Sequence, residues 1–328
     1  MRREPSDGRR VVWQLRTPVQ AVRLAADARS MDPSISQLRR ALLALSLCLL
    51  GIADQKPEMF AAPLFGDLGV RNARLVVPWD AMDGGFERVE LFAWLGAAQA
   101  AHITPLLSFG HSRRPGREKV RPSPTTLQHQ FRRLRANFPW VREFVTWNEP
   151  NHCGQPLCRR PELAARYFDA LTRSCPSCTI LGAEVLDTPN MSSWVRRFRA
   201  AAEHEPRAWG LHNYIDVNRF GTKGTRELLR VTRGQVWFTE TGGIVSRTKR
   251  AKIPFEESTG HAAEATRWLF DQLVPLSPRV RRVYLYHWDP AGPDDTWDSA
   301  LLDKHGRPRE AFRVVRARMR RAGATVGE

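Results

Sequence analysis

The chain has 328 residues, of which 42% are hydrophobic and 26% charged, and its formal net charge is +17. This length and composition exclude a wholly disordered chain and a protein that is membrane-embedded throughout, and they predict a globular domain with a substantial core. The charge alone would suit a binder of nucleic acid or another anionic polymer. Much of it is arginine on predicted helix faces, however, as in 132–135, 196–199 and 316–321, and no nucleic-acid-reading motif accompanies it. We therefore expect no specific nucleic-acid partner.

The first 40 residues are rich in arginine and have no sustained apolar period. We interpret them as a disordered leader or a mis-assigned start that ends in a signal-like basic stretch, followed by a folded domain over 41–325. The apolar run 41–50 after Arg39 and Arg40 is typical of an export signal and is too short for a transmembrane span, which needs ~20 residues. This predicts a secreted or cell-envelope protein. A cytoplasmic location stays open, because the same run leads directly into the first predicted strand.

From residue 49 onward, short apolar strands alternate with amphipathic helices, which is typical of a parallel α/β sheet. The strands are predicted at Leu49–Ala53, Ala73–Val77, Thr104–Ser108, Glu143–Trp147, Thr179–Ala183, Ala208–His212, Gln235–Thr239 and Arg282–His287. The helices are predicted at Val89–Ala101, Thr125–Ala136, Pro161–Thr172, Met191–Ala202, His261–Leu273 and Pro308–Arg321. Eight strands without a Pro-, Gly- or Ser-rich linker favour a single-domain (β/α)8 TIM barrel over a doubly wound sheet.

Two glutamates stand where predicted barrel strands end. Glu149 follows the fourth strand within Trp-Asn-Glu-Pro, and Glu240 follows the seventh within Phe-Thr-Glu-Thr. Barrel chemistry is located at the C-terminal ends of the strands, and strands four and seven lie across the mouth from each other. Cleavage of a glycosidic bond needs such a pair, one carboxyl to protonate the leaving oxygen and one to attack or to activate water.

With these motifs, residues 49–315 resemble glycoside hydrolase clan A, and families 5 and 39 in particular. The resemblance implies that Glu149 is the acid/base, Asn148 contacts the sugar 2-hydroxyl and Glu240 is the nucleophile. It further implies a retaining double displacement on a carbohydrate. This mechanism requires no metal or organic cofactor, and we expect a monomer. We expect the two carboxyl groups to lie ~5–5.5 Å apart. We also expect burial and the charge of Glu240 to raise the pKa of Glu149.

Other strand ends carry further candidates for substrate binding. The resemblance implies that Tyr214, in His212-Asn213-Tyr214 after strand six, hydrogen-bonds the nucleophile. It implies that Trp288 after strand eight stacks on the sugar and that Arg74 in strand two keeps the nucleophile ionised. His111, after strand three, is a candidate subsite residue.

The cysteines form two local pairs, Cys153 with Cys158 and Cys175 with Cys178. Four cysteines could suggest zinc, but the first pair follows a strand and the second precedes the next one, so they lie at opposite ends of a barrel. Two local disulfides are predicted for an exported chain, and free thiols for a cytosolic one.

Three alternatives to a glycosidase remain open at this point. The first is a barrel that binds polysaccharide without cutting it, and the second is a basic binder of anionic polymers. The third is a metal-dependent barrel enzyme, for which Glu184 and Asp187 near strand five are the obvious additional ligands. The basic loop 244–258 either forms a subsite for an acidic sugar or is a solvated excursion, and we favour the second.

Overall fold

The computed structural model describes residues 49–247, 254–290, 292 and 296–324. The predicted leader and nearly all of the predicted export segment lie outside the described residues, as do positions 248–253 of the basic loop. Among the helices that are described, none combines the length and the apolar character needed to cross a membrane.

Of the eleven strands in the described part of the chain, nine form one parallel sheet in the order β5-β4-β3-β2-β1-β10-β8-β7-β6, and the other two form a small antiparallel pair at the mouth. In chain order the strands are β1 Leu49–Ala53, β2 Asn72–Pro78, β3 Thr104–Gly110, β4 Glu143–Val145, β5 Thr179–Leu181, β6 Glu184–Leu186, β7 Ala208–His212, β8 Gln235–Thr241, β9 Ser246–Arg247, β10 Val280–Tyr286 and β11 Trp297–Asp298.

The fifth barrel strand is split, and its two halves close the ring. β5 pairs with β4 and β6 pairs with β7, with Gly182 and Ala183 between the halves. At the break, the Gly182 amide donates to Ala208 at 3.0 Å and the Glu184 amide donates to Trp147 at 3.3 Å. The split strand is therefore hydrogen-bonded to the β4 side of the barrel and to the β7 side. The predicted (β/α)8 barrel is confirmed, although its fifth strand extends further than predicted, to Leu186.

The helices cover the outside of this ring. They are α1 Pro63–Leu68, α2 Phe86–Ala100, α3 Pro124–Asn137, α4 Pro161–Ser174, α5 Met191–Ala201, α6 Tyr214–Asn218, α7 Lys223–Val231, α8 Thr259–Trp268 and α9 Glu310–Ala324. Local sequence explains where several begin. Before α3, the Ser123 hydroxyl accepts a hydrogen bond from the Thr126 amide at 3.0 Å and proline occupies the first turn. Ser258 caps α8 in the same way. The short helices α1, α6 and α7 were not predicted.

The inside of the barrel is filled below the mouth. Leu106, Val145, Leu181, Trp237 and Tyr284 are among the side chains of this inner cluster. A Cβ atom at Gly51 would lie 2.6 Å from the Tyr284 ring, so the absence of a side chain in β1 makes room for this tyrosine. At the base, Arg282 donates to Glu143 at 2.6 Å and stacks on Trp237. This packing directs functional side chains to the opposite, C-terminal mouth.

Candidate active site

Glu149 and Glu240 come together at the C-terminal mouth of the barrel. Carboxylate oxygens of the two residues and a ring nitrogen of His212 all lie within 4.8 Å of one another. Both glutamate side chains keep some exposure, 21% for Glu149 and 15% for Glu240. The pair is therefore both close enough to act on one bond and accessible to a ligand.

Arg74, in β2, holds the centre of this group. Its guanidinium binds Glu184 through two hydrogen bonds, from Nε at 2.7 Å and from Nη2 at 2.6 Å. Nη1 donates to Glu240 at 2.8 Å, and Nη2 also donates to the Asn148 side-chain oxygen at 2.7 Å. Arg74 is 1% exposed, and a charge buried this deeply is stable only when paired and hydrogen-bonded. The sequence predicted the contact with Glu240.

Glu184 is the partner of Arg74 that the sequence analysis did not identify. Burial opposes its charge, but Arg74 outweighs burial and lowers the pKa of Glu184 to about 2. Ser108 also donates to this carboxylate, at 2.6 Å. The sequence did offer a signal for this ion pair. Glu184 lies between Ala183 and Val185 in an apolar strand, and a buried carboxylate requires a partner of opposite charge.

His212, the last residue of β7, contacts three carboxylates. Nδ1 lies 2.8 Å from Glu149 and 3.9 Å from Glu240, and Nε2 lies 3.6 Å from Glu184. Burial disfavours a charged imidazole, but the charge of Glu240 and the contacts with Glu149 and Glu184 raise the pKa of His212 to about 9. At neutral pH, His212 is therefore an imidazolium that donates to Glu149.

The expected rise in the pKa of Glu149 is wrong, because the cation beside it was not foreseen. Burial does raise this pKa, but the hydrogen bond and charge of His212, together with His152 and Arg74, lower it below its ordinary value. In the free protein, His212 is consequently an imidazolium and Glu149 a carboxylate, and the one proton of this pair lies in the hydrogen bond between them.

Tyr214 contacts the other glutamate. Its hydroxyl donates to Glu240 at 3.2 Å, and burial raises the pKa of this phenol well above its ordinary value. Tyr214 begins α6, and Asn218 at the end of that helix fixes it to the segment after Glu240. The Asn218 side chain donates to the Gly242 carbonyl at 3.0 Å and accepts from the Ile244 amide at 2.8 Å.

The two remaining candidates, His111 and Trp288, have other partners than the two glutamates. His111 has its Nδ1 3.2 Å from the side-chain oxygen of Gln155, in the loop that follows Glu149. Trp288 is 3% exposed and packs edge-on against Phe65 of α1 and Phe312 of α9. The prediction that Trp288 stacks on a sugar is therefore corrected: the indole is buried in the outer core, where its large apolar surface is most stable.

An aromatic ring at the mouth is supplied instead by Trp297 in β11. Its ring centre lies 4.8 Å from that of Tyr214, and its side chain keeps partial exposure. The sequence analysis did not select it, although a tryptophan in the long loop after the eighth strand is the kind of residue that reaches a barrel mouth.

Among the described residues, two groups of side chains have spacing that could hold a metal ion. One is Glu149, His212 and Glu240, in which His212 already contacts Glu149 and Arg74 already donates to Glu240. The other, at the outer surface, includes Asp169, whose oxygens accept from the backbone amides of residues 203 and 204. The arrangement of the first group favours acid–base chemistry over metal ligation.

Glu184 and Asp187, considered as metal ligands from the sequence, have other partners. Glu184 binds Arg74, and Asp187 accepts from the Asp216 amide at 2.8 Å. Burial raises the pKa of Asp187 to about 7. Within the described residues neither belongs to a group with metal-ligand spacing, so the metal-dependent alternative loses its additional ligands.

Both predicted disulfides are confirmed. Cys153 bonds Cys158 with a Cα–Cα distance of 4.9 Å, and Cys175 bonds Cys178 with 5.3 Å. The first closes the loop that follows Glu149, at the mouth, and the second precedes β5, at the base. Since the four cysteines form two local bonds, they do not form a zinc site.

Comparisons with known proteins show similarity in fold. No protein-family model matches the chain, and no curated protein matches it. Among solved structures, a family 39 glycoside hydrolase from the gut symbiont Bacteroides cellulosilyticus WH2 aligns with a TM-score of 0.55 and 14% identity, over 84% of this chain and 64% of that one. Xylanase 10B from Thermotoga maritima aligns with a TM-score of 0.59 and 12% identity, over 86% of this chain and 97% of that one.

A GH113 β-1,4-mannanase also aligns, with a TM-score of 0.54 and 12% identity, over 83% of this chain and 98% of that one. This chain spans somewhat less than two thirds of the family 39 structure and nearly the whole length of the other two. Identities this low establish the fold alone. The described chain shares the TIM-barrel fold of these glycosidases, which is the fold that the sequence resemblance implied.

Proposed function

We propose that the protein is a retaining glycoside hydrolase in which Glu240 is the nucleophile and Glu149 the acid/base. One observation carries the proposal: two glutamates at the barrel mouth, with oxygens within 4.8 Å, have different hydrogen-bond environments. A retaining mechanism uses carboxyl groups ~5–5.5 Å apart, whereas inversion needs ~6.5–9.5 Å so that water fits between them. The nearest oxygens of the two carboxylates lie within 4.8 Å of each other, which is compatible with the shorter separation of retaining enzymes.

The contacts of Glu240 suit a nucleophile. Arg74 donates to one of its oxygens and Tyr214 to the other, which orients the carboxylate. The oxygen of the Asn148 amide is committed to Arg74, which leaves its NH2 group as the donor for a sugar 2-hydroxyl. Glu240 attacks the anomeric carbon, and the bond to the leaving oxygen breaks as the glycosyl–enzyme bond forms.

The Glu149–His212 pair supplies the proton. The proton held by His212 passes to Glu149 and from there to the leaving oxygen, so that the pair is left as neutral imidazole and carboxylate. In the second step, Glu149 accepts a proton from the attacking water, the glycosyl–enzyme bond breaks, and His212 is again protonated. The sum is hydrolysis with retained configuration and an unchanged enzyme.

The substrate class follows from the site and from the fold. Structural neighbours include a β-xylosidase, an endoxylanase and a β-1,4-mannanase, which supports an oligo- or polysaccharide substrate. In this proposal, His111 and Trp297 contribute sugar contacts at the mouth. The two disulfides support an oxidising compartment, and thus secretion or the cell envelope.

The test is a hydrolysis screen with a panel of aryl glycosides and polysaccharides, in which native protein and Glu240→Gln are compared. The native protein should release sugar from at least one member, and the variant should bind that substrate but not hydrolyse it. Binding by native protein without hydrolysis across the panel would favour the non-catalytic alternative. Activity that disappears with a chelator and returns with a divalent metal would contradict the proposed acid–base mechanism.

A further inference from the structure

The backbone of Glu149 has an unusual conformation. Its φ angle is 46°, in the left-handed region that non-glycine residues seldom occupy because the backbone is strained there. The preceding residue, Asn148, still pairs with Glu184 of β6 in the parallel ladder. Pro150, which follows, has no amide hydrogen with which to continue the ladder. Something else must hold the chain against the fifth barrel strand.

The side chain of Asn151 takes the place of this missing backbone pairing. Its oxygen accepts from the Leu186 amide at 2.9 Å and its nitrogen donates to the Leu186 carbonyl at 3.0 Å. Leu186 lies two residues beyond Glu184, where the ladder would next have made contact. Asn151 is 1% exposed, and its backbone carbonyl accepts a hydrogen bond from the Asn190 side chain at 2.9 Å. A buried amide with these partners is fixed in one orientation.

We propose that Asn151 is a positioning residue for the acid/base, a role that rests on the proposed function of Glu149. By pairing with Leu186, it holds the chain two residues after Glu149 and thereby stabilises the left-handed backbone at Glu149. That backbone sets the 2.8 Å contact between the Glu149 carboxylate and His212 and the approach of Glu149 to Glu240.

The pairing requires a donor and an acceptor on a side chain of this length. Aspartate has the same shape but places a second acceptor against the Leu186 carbonyl, so Asn151→Asp breaks one of the two bonds without opening a cavity. Asn190→Ala is the matched control, because it removes the bond to the Asn151 backbone carbonyl and the 3.3 Å contact with the Asn151 side-chain nitrogen, but keeps both bonds between Asn151 and Leu186.

The experiment is the leaving-group dependence of kcat/KM, measured with dinitrophenyl and phenyl glycosides of the sugar that the native enzyme accepts. A good leaving group departs with little protonation, so only the phenyl substrate reports the placement of the acid. Asn151→Asp should lower kcat/KM for the phenyl substrate at least ~10-fold more than for the dinitrophenyl substrate. Its alkaline limb of kcat/KM should also move to lower pH as the contact between Glu149 and His212 loosens.

Rates are normalised to competent sites, which are counted by trapping with a dinitrophenyl 2-deoxy-2-fluoro glycoside, so partial misfolding does not obscure the result. Asn190→Ala should affect both substrates by a similar, smaller factor. Equal losses on both substrates for Asn151→Asp, with an unchanged pH profile, would overturn the proposal. A native protein that hydrolyses neither substrate would instead count against the proposed function itself.

Discussion

His212 contacts three carboxylates at once, and this single residue controls how protons are distributed at the mouth. Because its pKa is raised while that of Glu149 is lowered, the two side chains share one proton that belongs to the pair. Under the proposed mechanism, the reactive form is the one in which the pair holds this proton.

The pH dependence of kcat/KM should therefore reflect His212. The activity of the native enzyme should fall as pH rises through about 9, where the pair loses its proton. In His212→Asn the proton has only Glu149 to hold it, so the alkaline limb should move down by roughly one unit or more. A pH series with native enzyme and variant, both shown to be folded by circular dichroism, measures this. An alkaline limb at the same pH in both would refute the shared proton.

At the scale of elements, the site depends on Arg74 of β2, which reaches across the barrel to β6 and β8. The arginine serves two purposes, since it neutralises the wholly buried Glu184 and also contacts Glu240. These purposes can be separated experimentally, because only the contact with Glu240 bears on the proposed chemistry.

Arg74→Met should lower the free energy of unfolding by about 3–5 kcal/mol, because it leaves the charge of Glu184 buried without its partner. The double variant Arg74→Met with Glu184→Leu should recover much of this stability. Both should lose roughly 10²–10³-fold in kcat/KM, because neither orients Glu240. Denaturant titration and steady-state kinetics on the same samples measure the two effects. If the double variant regained activity together with stability, Arg74 would have a structural role only.

The sequence predicted most elements of the barrel because hydrophobic periodicity records which faces are buried, and strand order then placed Glu149 and Glu240 at one mouth. It could not predict interactions that depend on three-dimensional packing. The lowered pKa of Glu149 requires knowledge of where the His212 ring lies, and the burial of Trp288 depends on aromatic side chains from two distant helices. The short helix α6 forms no full amphipathic period, so nothing in its pattern distinguishes it from a loop.

At the scale of the whole molecule, arginines of the outer helices carry part of the positive charge, whereas the disulfides lie at the two ends of the barrel. Several arginines on the outer helices pair with nearby acids, as Arg197 does with Glu162 and Arg199 with Glu205, both at 2.7 Å. This agrees with solvated helix faces as the explanation for part of the net positive charge. The two disulfides, in contrast, lie at opposite ends of the barrel.

Removing either disulfide should lower the free energy of unfolding by about 2 kcal/mol, as loop-closure entropy predicts for such short loops. The effects on catalysis should differ. The variant with serine at positions 153 and 158 should lose kcat/KM for phenyl glycosides, because its loop contains Gln155, the partner of His111. The matched variant with serine at 175 and 178 should retain activity. Equal activity in both variants would show that the mouth loop does not depend on its bond.

The roles of the two glutamates are tested most directly by product stereochemistry with azide. Glu240→Gly should abolish turnover, and azide should restore part of it by entering the vacated space, giving a glycosyl azide of inverted configuration. Glu149→Ala should still form the glycosyl–enzyme from substrates with good leaving groups, and azide should then attack it and give the retained product. The measurement is NMR of the azide adduct from each variant. Inverted product from Glu149→Ala with retained product from Glu240→Gly would reverse the assignment, and undiminished hydrolysis in both would place the site elsewhere.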